Sequence, residues 1–216
     1  MSLVLYYSPG ACSLAAHIVL EELGANYRLE LVSVADGATQ REPYLTINSK
    51  ARVPALRIEK EARVLTESVA ILTYLGRWSA AYPLLPLAGT IAEARCYEWL
   101  AWLSGWVHAV GFGLIWRPVR ITSDPHQYEG LQASGRMTVE AAFGDIERQL
   151  ADGRDWAIPE GYSVVDPCLL VFYRWGYRIG LSMHTQYPAW SAMANNLAQR
   201  PAVKRALEQE RISLRC

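Results

Sequence analysis

The chain changes character once along its length. Up to about residue 79, short β-rich runs alternate with helical ones. Beyond a stretch of small and apolar residues punctuated by Pro83, Pro86 and Gly89, every periodic segment reads as helix. That break limits the architecture to a mixed α/β domain over residues 1–79, a linker over 80–90 and an all-helical domain over 91–216. In the first part, Leu3 to Tyr7 is β-rich and is followed by Ser8-Pro9-Gly10, then by an apolar-rich stretch from Cys12 to Leu23 that ends at Gly24 as a helix C-cap. Tyr27, Leu29 and Leu31 alternate with Arg28 and Glu30, the period of a half-buried strand. Residues 36–48 suit either a short helix or a loop. Val53 to Ile58 and Arg63 to Leu65, joined by Glu59-Lys60-Glu61, read as a β-hairpin, and Thr66 is placed to cap a helix with the apolar stripe Ile71, Leu72, Leu75 and Trp78.

In the second part, one long helix runs from Ile91 until Pro118 stops it, and another begins at Asp124-Pro125 and fades at Asp152-Gly153. A third starts at Ser163, where Ser163 to Asp166 has capping-box spacing, and others follow Pro188 and Pro201. Trp99 to Trp116 carries no formal charge and approaches the length of a membrane span. It is interrupted by Ser104, Gly105, His108, Gly111 and Gly113, so it reads as a helix buried at a domain or subunit interface and not as a membrane segment. Eight Trp and twelve Tyr within a 51% hydrophobic composition call for a large aromatic core or an aromatic cleft. Twenty-one basic residues balance 21 acidic ones, which leaves no net field to attract nucleic acid or an anionic membrane. The four cysteines are widely spaced and form no metal-ligand pattern, which points to a reducing compartment, the cytoplasm.

A cysteine at a strand-to-helix turn meets the positive end of the helix dipole and unpaired N–H groups, both of which favour a thiolate. Cys12 holds that place. Ala15 stands where a redox dithiol would have its second cysteine, so an internal disulfide at this turn is excluded. Cys12 is then either a thiol that meets another thiol or a small buried residue at a helix start. Cys96, Cys168 and Cys216 read as structural. Val53-Pro54 enters a strand, where exposed backbone groups can pair with an extended peptide-like ligand or simply start the strand. Glu67-Ser68 opens a helix, where N–H groups and the hydroxyl can hold a carboxylate and Glu67 can accept from an ammonium. A thiol, an extended peptide backbone and an amino-acid end together describe glutathione.

The blocks Tyr6-Tyr7-Ser8-Pro9-Gly10-Ala11-Cys12-Ser13-Leu14-Ala15, Val53-Pro54-Ala55-Leu56 and Leu65-Thr66-Glu67-Ser68 resemble those of beta-class bacterial glutathione transferases. The likeness runs nearly end to end, through Glu98-Trp99-Leu100, His108, Trp116-Arg117-Pro118 and Ser163 to Asp166. It implies a thioredoxin-like βαβαββα domain followed by an all-helical domain, a homodimer, and glutathione as co-substrate without a metal. It also implies that Ala11, Arg52, Val53, Pro54, Glu67 and Ser68 contact glutathione, with a cis bond before Pro54. Cys12 would lie near the sulfur, and His108 would project toward it from the long helix. Without the resemblance, His108 reads as a core histidine.

The chain departs from its relatives at Ala101, Gly105 and Ala109, where they carry polar residues, and at Val34 to Thr39, where they are rich in lysine. Asn48-Ser49 replaces Asn-Pro, and Gly111 to Trp116 holds one residue more than the relatives do. These departures imply weaker glutathione affinity or a narrower electrophile range. Three activities fit: conjugation of glutathione to small hydrophobic electrophiles, thiol-disulfide or peroxide redox chemistry through a Cys12 mixed disulfide, and non-catalytic binding of hydrophobic ligands or a protein partner. Trp102, Trp106, Phe112 and Trp116 suit a pocket wall and a core equally well.

Overall fold

A computed structural model describes residues 2–215. The N-terminal half holds a four-stranded sheet in the order β2-β1-β3-β4, built from β1 (Leu3–Tyr7), β2 (Tyr27–Leu31), β3 (Ala55–Ile58) and β4 (Leu65–Thr66). β1 runs parallel to β2 and antiparallel to β3, and β3 runs antiparallel to β4. The parallel pair needs a crossover, which α1 (Ser13–Glu22) supplies. Residues 36–48 resolve into a 3₁₀ turn, Ala38–Gln40, and a one-turn helix, α2 (Tyr44–Ile47). α3 (Ser68–Gly76) completes the βαβαββα order. Thr66 belongs to β4, and the N-cap of α3 is Glu67, so the sequence-based cap was one residue early.

Period-two alternation sends Leu3, Leu5, Leu56 and Ile58 to one side of the sheet and Val4, Tyr6 and Ala55 to the other, where Tyr44 covers them. α1 is buried along every residue from Ser13 to Leu20, because the sheet and α3 cover one flank while helices of the C-terminal half cover the other. The C-terminal half holds α4 (Ile91–Trp102), α5 (Gly113–Trp116), α6 (Tyr128–Leu150), α7 (Val165–Arg178), α8 (Met183–Gln186), α9 (Pro188–Gln199) and α10 (Pro201–Glu210), of which α7 and α10 lie on α1. The two halves therefore share one core.

The expected long helix is continuous from Ile91 to Trp116, but its middle, Leu103–Phe112, is wound as π-helix. Such a π-wound stretch widens the helix locally and often marks a functional site. By length and hydropathy this 26-residue helix could cross a membrane. At Ser163 half of the expected capping box forms, and α7 itself begins two residues later, at Val165 with Val164 as N-cap. Ser163 N–H donates to Asp166 Oδ2 at 2.6 Å and Val165 N–H to Ser163 Oγ at 3.3 Å. Burial lifts the Asp166 carboxyl to about 7, although its hydrogen bonds from Ala157, from Ser163 and within its own turn pull the other way.

Candidate functional site

Cys12 sits at the N-cap of α1, and its Sγ donates to the Val53 carbonyl at 3.3 Å. The turn leading to it is tied on several sides. Ser8 N–H donates to Ser13 Oγ at 3.2 Å and Ala11 N–H to the Ser8 carbonyl at 3.0 Å. From the C-terminal half, Glu210 Oε2 accepts from Gly10 N–H at 2.8 Å, and Trp175 Nε1 donates to the Gly10 carbonyl at 2.8 Å. Gly10 has φ +66°, which L side chains rarely adopt, and a Cβ there would stand 2.7 Å from Arg174 Nη1, so the position favours glycine. The other oxygen of Glu210 meets His17 Nδ1 at 2.9 Å, with both side chains fully buried.

The backbone facing Cys12 is held just as firmly. Tyr44 Oη and Asn48 Nδ2 donate to the Arg52 carbonyl at 2.7 and 2.8 Å, and the Val53–Pro54 peptide bond is cis. Glu67 has φ +72° and ψ +122°, a region that side chains other than glycine rarely enter. Its carboxylate lies 2.7 Å from Lys50 Nζ, which also donates to Thr66 Oγ1 at 2.9 Å. An ammonium of the chain itself thus stands where the sequence reading places the ammonium of a ligand.

Cys12, Ser68 and His108 line one cavity of about 30 Å³, closed by Leu100, Leu103 and Phe172. His108 comes from the π-helical stretch and packs edge-on against Trp175 and Phe172, with ring centroids 4.8 and 6.2 Å away. Burial holds its imidazole down to about 4, and the charges of Arg52, Arg120 and Arg117 push the same way. The ring is therefore neutral at physiological pH.

The environment of Cys12 opposes the thiolate that its place at a helix start would favour. Burial lifts the thiol to about 11, despite hydrogen bonds from Ser68 and from the backbone of Cys12 and Ser13 and despite the charge of Arg52. The N-terminus of a ten-residue helix does not offset the loss of water around the sulfur. Cys168, read from the sequence as structural, lines the same cavity from the first turn of α7, where burial raises its thiol too. Cys96 is buried, and Cys216 lies outside the described residues.

Among the four aromatic candidates, Phe112 and Trp116 join Phe172 and Trp175 in a ring cluster beside His108. Trp102 packs on Trp99, and Trp106 is 51% exposed. Ala101, Gly105 and Ala109 are exposed and offer no polar side chain along that row of the helix. Sequence reasoning missed Tyr44, Asn48, Trp175 and Glu210, the residues that hold the two facing segments in place. Three of them have no local signature. Asn48 was noticed only for the Ser49 that follows it.

Residues 1–77 match the family model described as glutathione S-transferase, N-terminal domain. Over 207 residues the chain is 30% identical to glutathione S-transferase GstA of Escherichia coli O157:H7, covering 95% of this chain and 98% of that one. A glutathione transferase homologue from Sulfitobacter, solved with bound glutathione, superposes with a TM-score of 0.89 at 28% identity, covering 96% and 98% of the two chains. The beta-class glutathione S-transferase of Sphingomonas chungbukensis superposes with a TM-score of 0.84 at 31% identity, covering 97% and 100%.

Proposed function

Because this chain belongs to the glutathione S-transferase superfamily and resembles its bacterial beta class, we propose that it joins the thiol of glutathione to small hydrophobic electrophiles. The observation that carries this reading is the single cavity in which Cys12, Ser68 and His108 meet between the two halves of the chain. Glutathione lies along the N-terminal half. Its γ-glutamyl end takes the α3 N-terminus, with Ser68 binding the carboxylate and Glu67 accepting the ammonium in place of Lys50. Its middle residue pairs with the Val53 backbone before cis-Pro54, and Ala11 and Arg52 flank the rest. The sulfur enters the cavity, where the Cys12 thiol turns from the Val53 carbonyl to donate to it.

With its pKa near 11, Cys12 holds only roughly one thiolate per ten thousand molecules at pH 7. It is thus suited to donating a hydrogen bond and poorly suited to attacking a disulfide, which weighs against the redox reading. The glutathione thiolate attacks the electrophile, a carbon–sulfur bond forms, the leaving group departs with its electron pair, and the thiol proton passes to solvent. Neutral His108 offers a ring N–H to the same sulfur.

On this reading residues 1–79 form the glutathione-binding domain, 80–90 the linker and 91–216 the domain that holds the hydrophobic substrate. The protein works in the cytoplasm as a homodimer, free of nucleic acid, membrane and metal. Ile91 at 72% and Leu87 at 77% exposure are apolar side chains that a second copy would cover.

The test compares wild type with Cys12→Ala, using chlorodinitrobenzene as electrophile and a mixed disulfide of glutathione as redox substrate. Conjugation should survive within about tenfold and rise with pH along a single limb from about pH 6 to 9, because neither Cys12 nor His108 titrates there. Disulfide reduction should be negligible in both proteins. Loss of conjugation by more than about a hundredfold in the variant would restore the covalent role of Cys12. No glutathione binding by calorimetry would leave hydrophobic-ligand binding as the function.

A further inference from the structure

The carboxylate to which the reading above gives the ammonium of glutathione already holds an ammonium. Lys50 Nζ lies 2.7 Å from Glu67 Oε1 and donates to Thr66 Oγ1 at 2.9 Å. This pair is built from both sides. Lys50 N–H donates to Asn48 Oδ1 at 3.1 Å, while Nδ2 of the same side chain holds the Arg52 carbonyl at 2.8 Å. Between them Ala51 turns the chain with φ +56°, its N–H donating to the Asn48 carbonyl at 2.9 Å. On the other side of the pair, Glu67 opens α3 with φ +72°. Two of the four non-glycine residues with left-handed φ among the described residues thus flank one ion pair, and neither conformation is free of strain.

Lysine suits this place for a chemical reason. The chain draws most of its positive charge from arginine, and of its 21 basic residues only Lys50, Lys60 and Lys204 are lysine. An arginine would present a planar fork to Glu67, whereas Lys50 presents a compact ammonium, the same group that an amino-acid ligand brings. The Lys50 side chain is 53% exposed and that of Glu67 57%, so water receives whichever ammonium is set free, and an ion pair this open is weak enough to exchange. A ligand with an α-ammonium must displace Lys50 and so replaces one ion pair by another. A ligand without that group meets a carboxylate that is already neutralised.

We propose that Lys50 stands in for the α-ammonium of the thiol co-substrate, so that the site accepts glutathione-like thiols lacking the amino group nearly as well as glutathione itself. This inference rests on the conjugation reading above and widens its co-substrate class. Glutathione gains from its ammonium only the difference between two like ion pairs. A deaminated thiol leaves Lys50 on Glu67, so no bare carboxylate repels its own terminal carboxylate. The rest of its length still has Ser68, the Val53 backbone and the cavity.

Glutathione and glutaryl-cysteinylglycine, which is glutathione without its amino group, make the test. Each is titrated calorimetrically and then conjugated to chlorodinitrobenzene, where the thiolate forms the carbon–sulfur bond, chloride leaves with the bonding pair and the thiol proton goes to the buffer. Wild type should bind glutathione no more than about threefold tighter than the glutaryl thiol. Lys50→Met should tighten glutathione and weaken the glutaryl thiol, each by about two- to fivefold, the worth of one exposed ion pair, which raises the preference to about tenfold. Lys50→Arg keeps the charge and should keep the wild-type preference within about twofold. Salt gives a second readout. Exchange of one ion pair for another is nearly indifferent to it, so between about 0.05 and 0.5 M salt the glutathione affinity of wild type should fall less than that of Lys50→Met. Equal preference in wild type and Lys50→Met would overturn the proposal, as would a wild-type preference above about tenfold. A Lys50→Met protein that binds both thiols more weakly to the same degree would overturn it too, because Lys50 would then hold a ligand carboxylate. If glutathione binds but neither thiol is conjugated, the conjugation reading falls while the binding preference still decides the role of Lys50. If neither thiol binds, both fall.

Discussion

Two segments face each other across the cavity, and they are held in different ways. The turn from Ser8 to Ser13 is fixed by hydrogen bonds. Its backbone is tied to Ser13, to Trp175 and to the buried Glu210 at the far end of the chain. The opposing stretch, Leu103–Phe112, has no side-chain hydrogen bond among the described residues and is held by packing. Two glycines let it approach α6 closely: a Cβ at Gly135 would stand 2.7 Å from the Gly111 carbonyl, and one at Gly111 would stand 2.7 Å from Val139 Cγ2. Directional bonds fix backbone groups in one geometry, which suits a ligand that never changes. Packing of rings against a π turn tolerates repacking, which suits a wall that must follow its second substrate.

Breaking the hydrogen-bonded side should cost most. Glu210→Ala leaves the buried His17 Nδ1 and the Gly10 N–H without their partner, while His17 Nε2 keeps Tyr27 and Gln209, and should lower stability by roughly 3–5 kcal/mol. Thermal melting would show this as a fall of about 10 °C or more, with glutathione affinity falling alongside. An unchanged melting temperature would mean that the turn does not depend on the C-terminal helix.

The packed side should respond differently. Gly135→Ala drives a methyl group into the Gly111 carbonyl and toward the Ile115 nitrogen, backbone atoms that cannot swing aside. The expected cost is about 1–3 kcal/mol. Steady-state kinetics should show the KM for the electrophile rising several-fold while that for glutathione stays within about twofold. Equal changes in both would erase the distinction between the two segments.

The smallest effect belongs to the strained residue at the start of α3. Glu67→Gly relieves φ +72° and should raise stability by about 1 kcal/mol. It also removes the carboxylate now paired with Lys50, so isothermal titration should find weaker glutathione binding in a more stable protein. Stability and affinity falling together would show that Glu67 carries no strain.

The strand at Tyr27–Leu31 and the proline-led helix starts at Pro188 and Pro201 hold in three dimensions, because each depends on neighbours a few residues away, although Leu31 at the strand's end is exposed. The cap assigned to Thr66 moved to Glu67 because the chain enters α3 through a left-handed residue that propensity does not anticipate. Winding of residues 103–112 as π-helix carries no signature in the local sequence pattern. At Cys12 the helix N-terminus is readable from sequence, but the burial that opposes a thiolate there is not.

The sequence by itself determined the order of elements, the division into a sheet-bearing half and a helical half, and the chemical types available at the site, since all of these follow from local period and residue identity. Only the tertiary structure decided which of those groups meet. Glu210 reaches Gly10 across 200 residues, and Cys168 joins Cys12 in one cavity. Such encounters depend on how α7 and α10 dock on α1, and that docking is set by the summed burial of a shared core, to which no single segment holds the key.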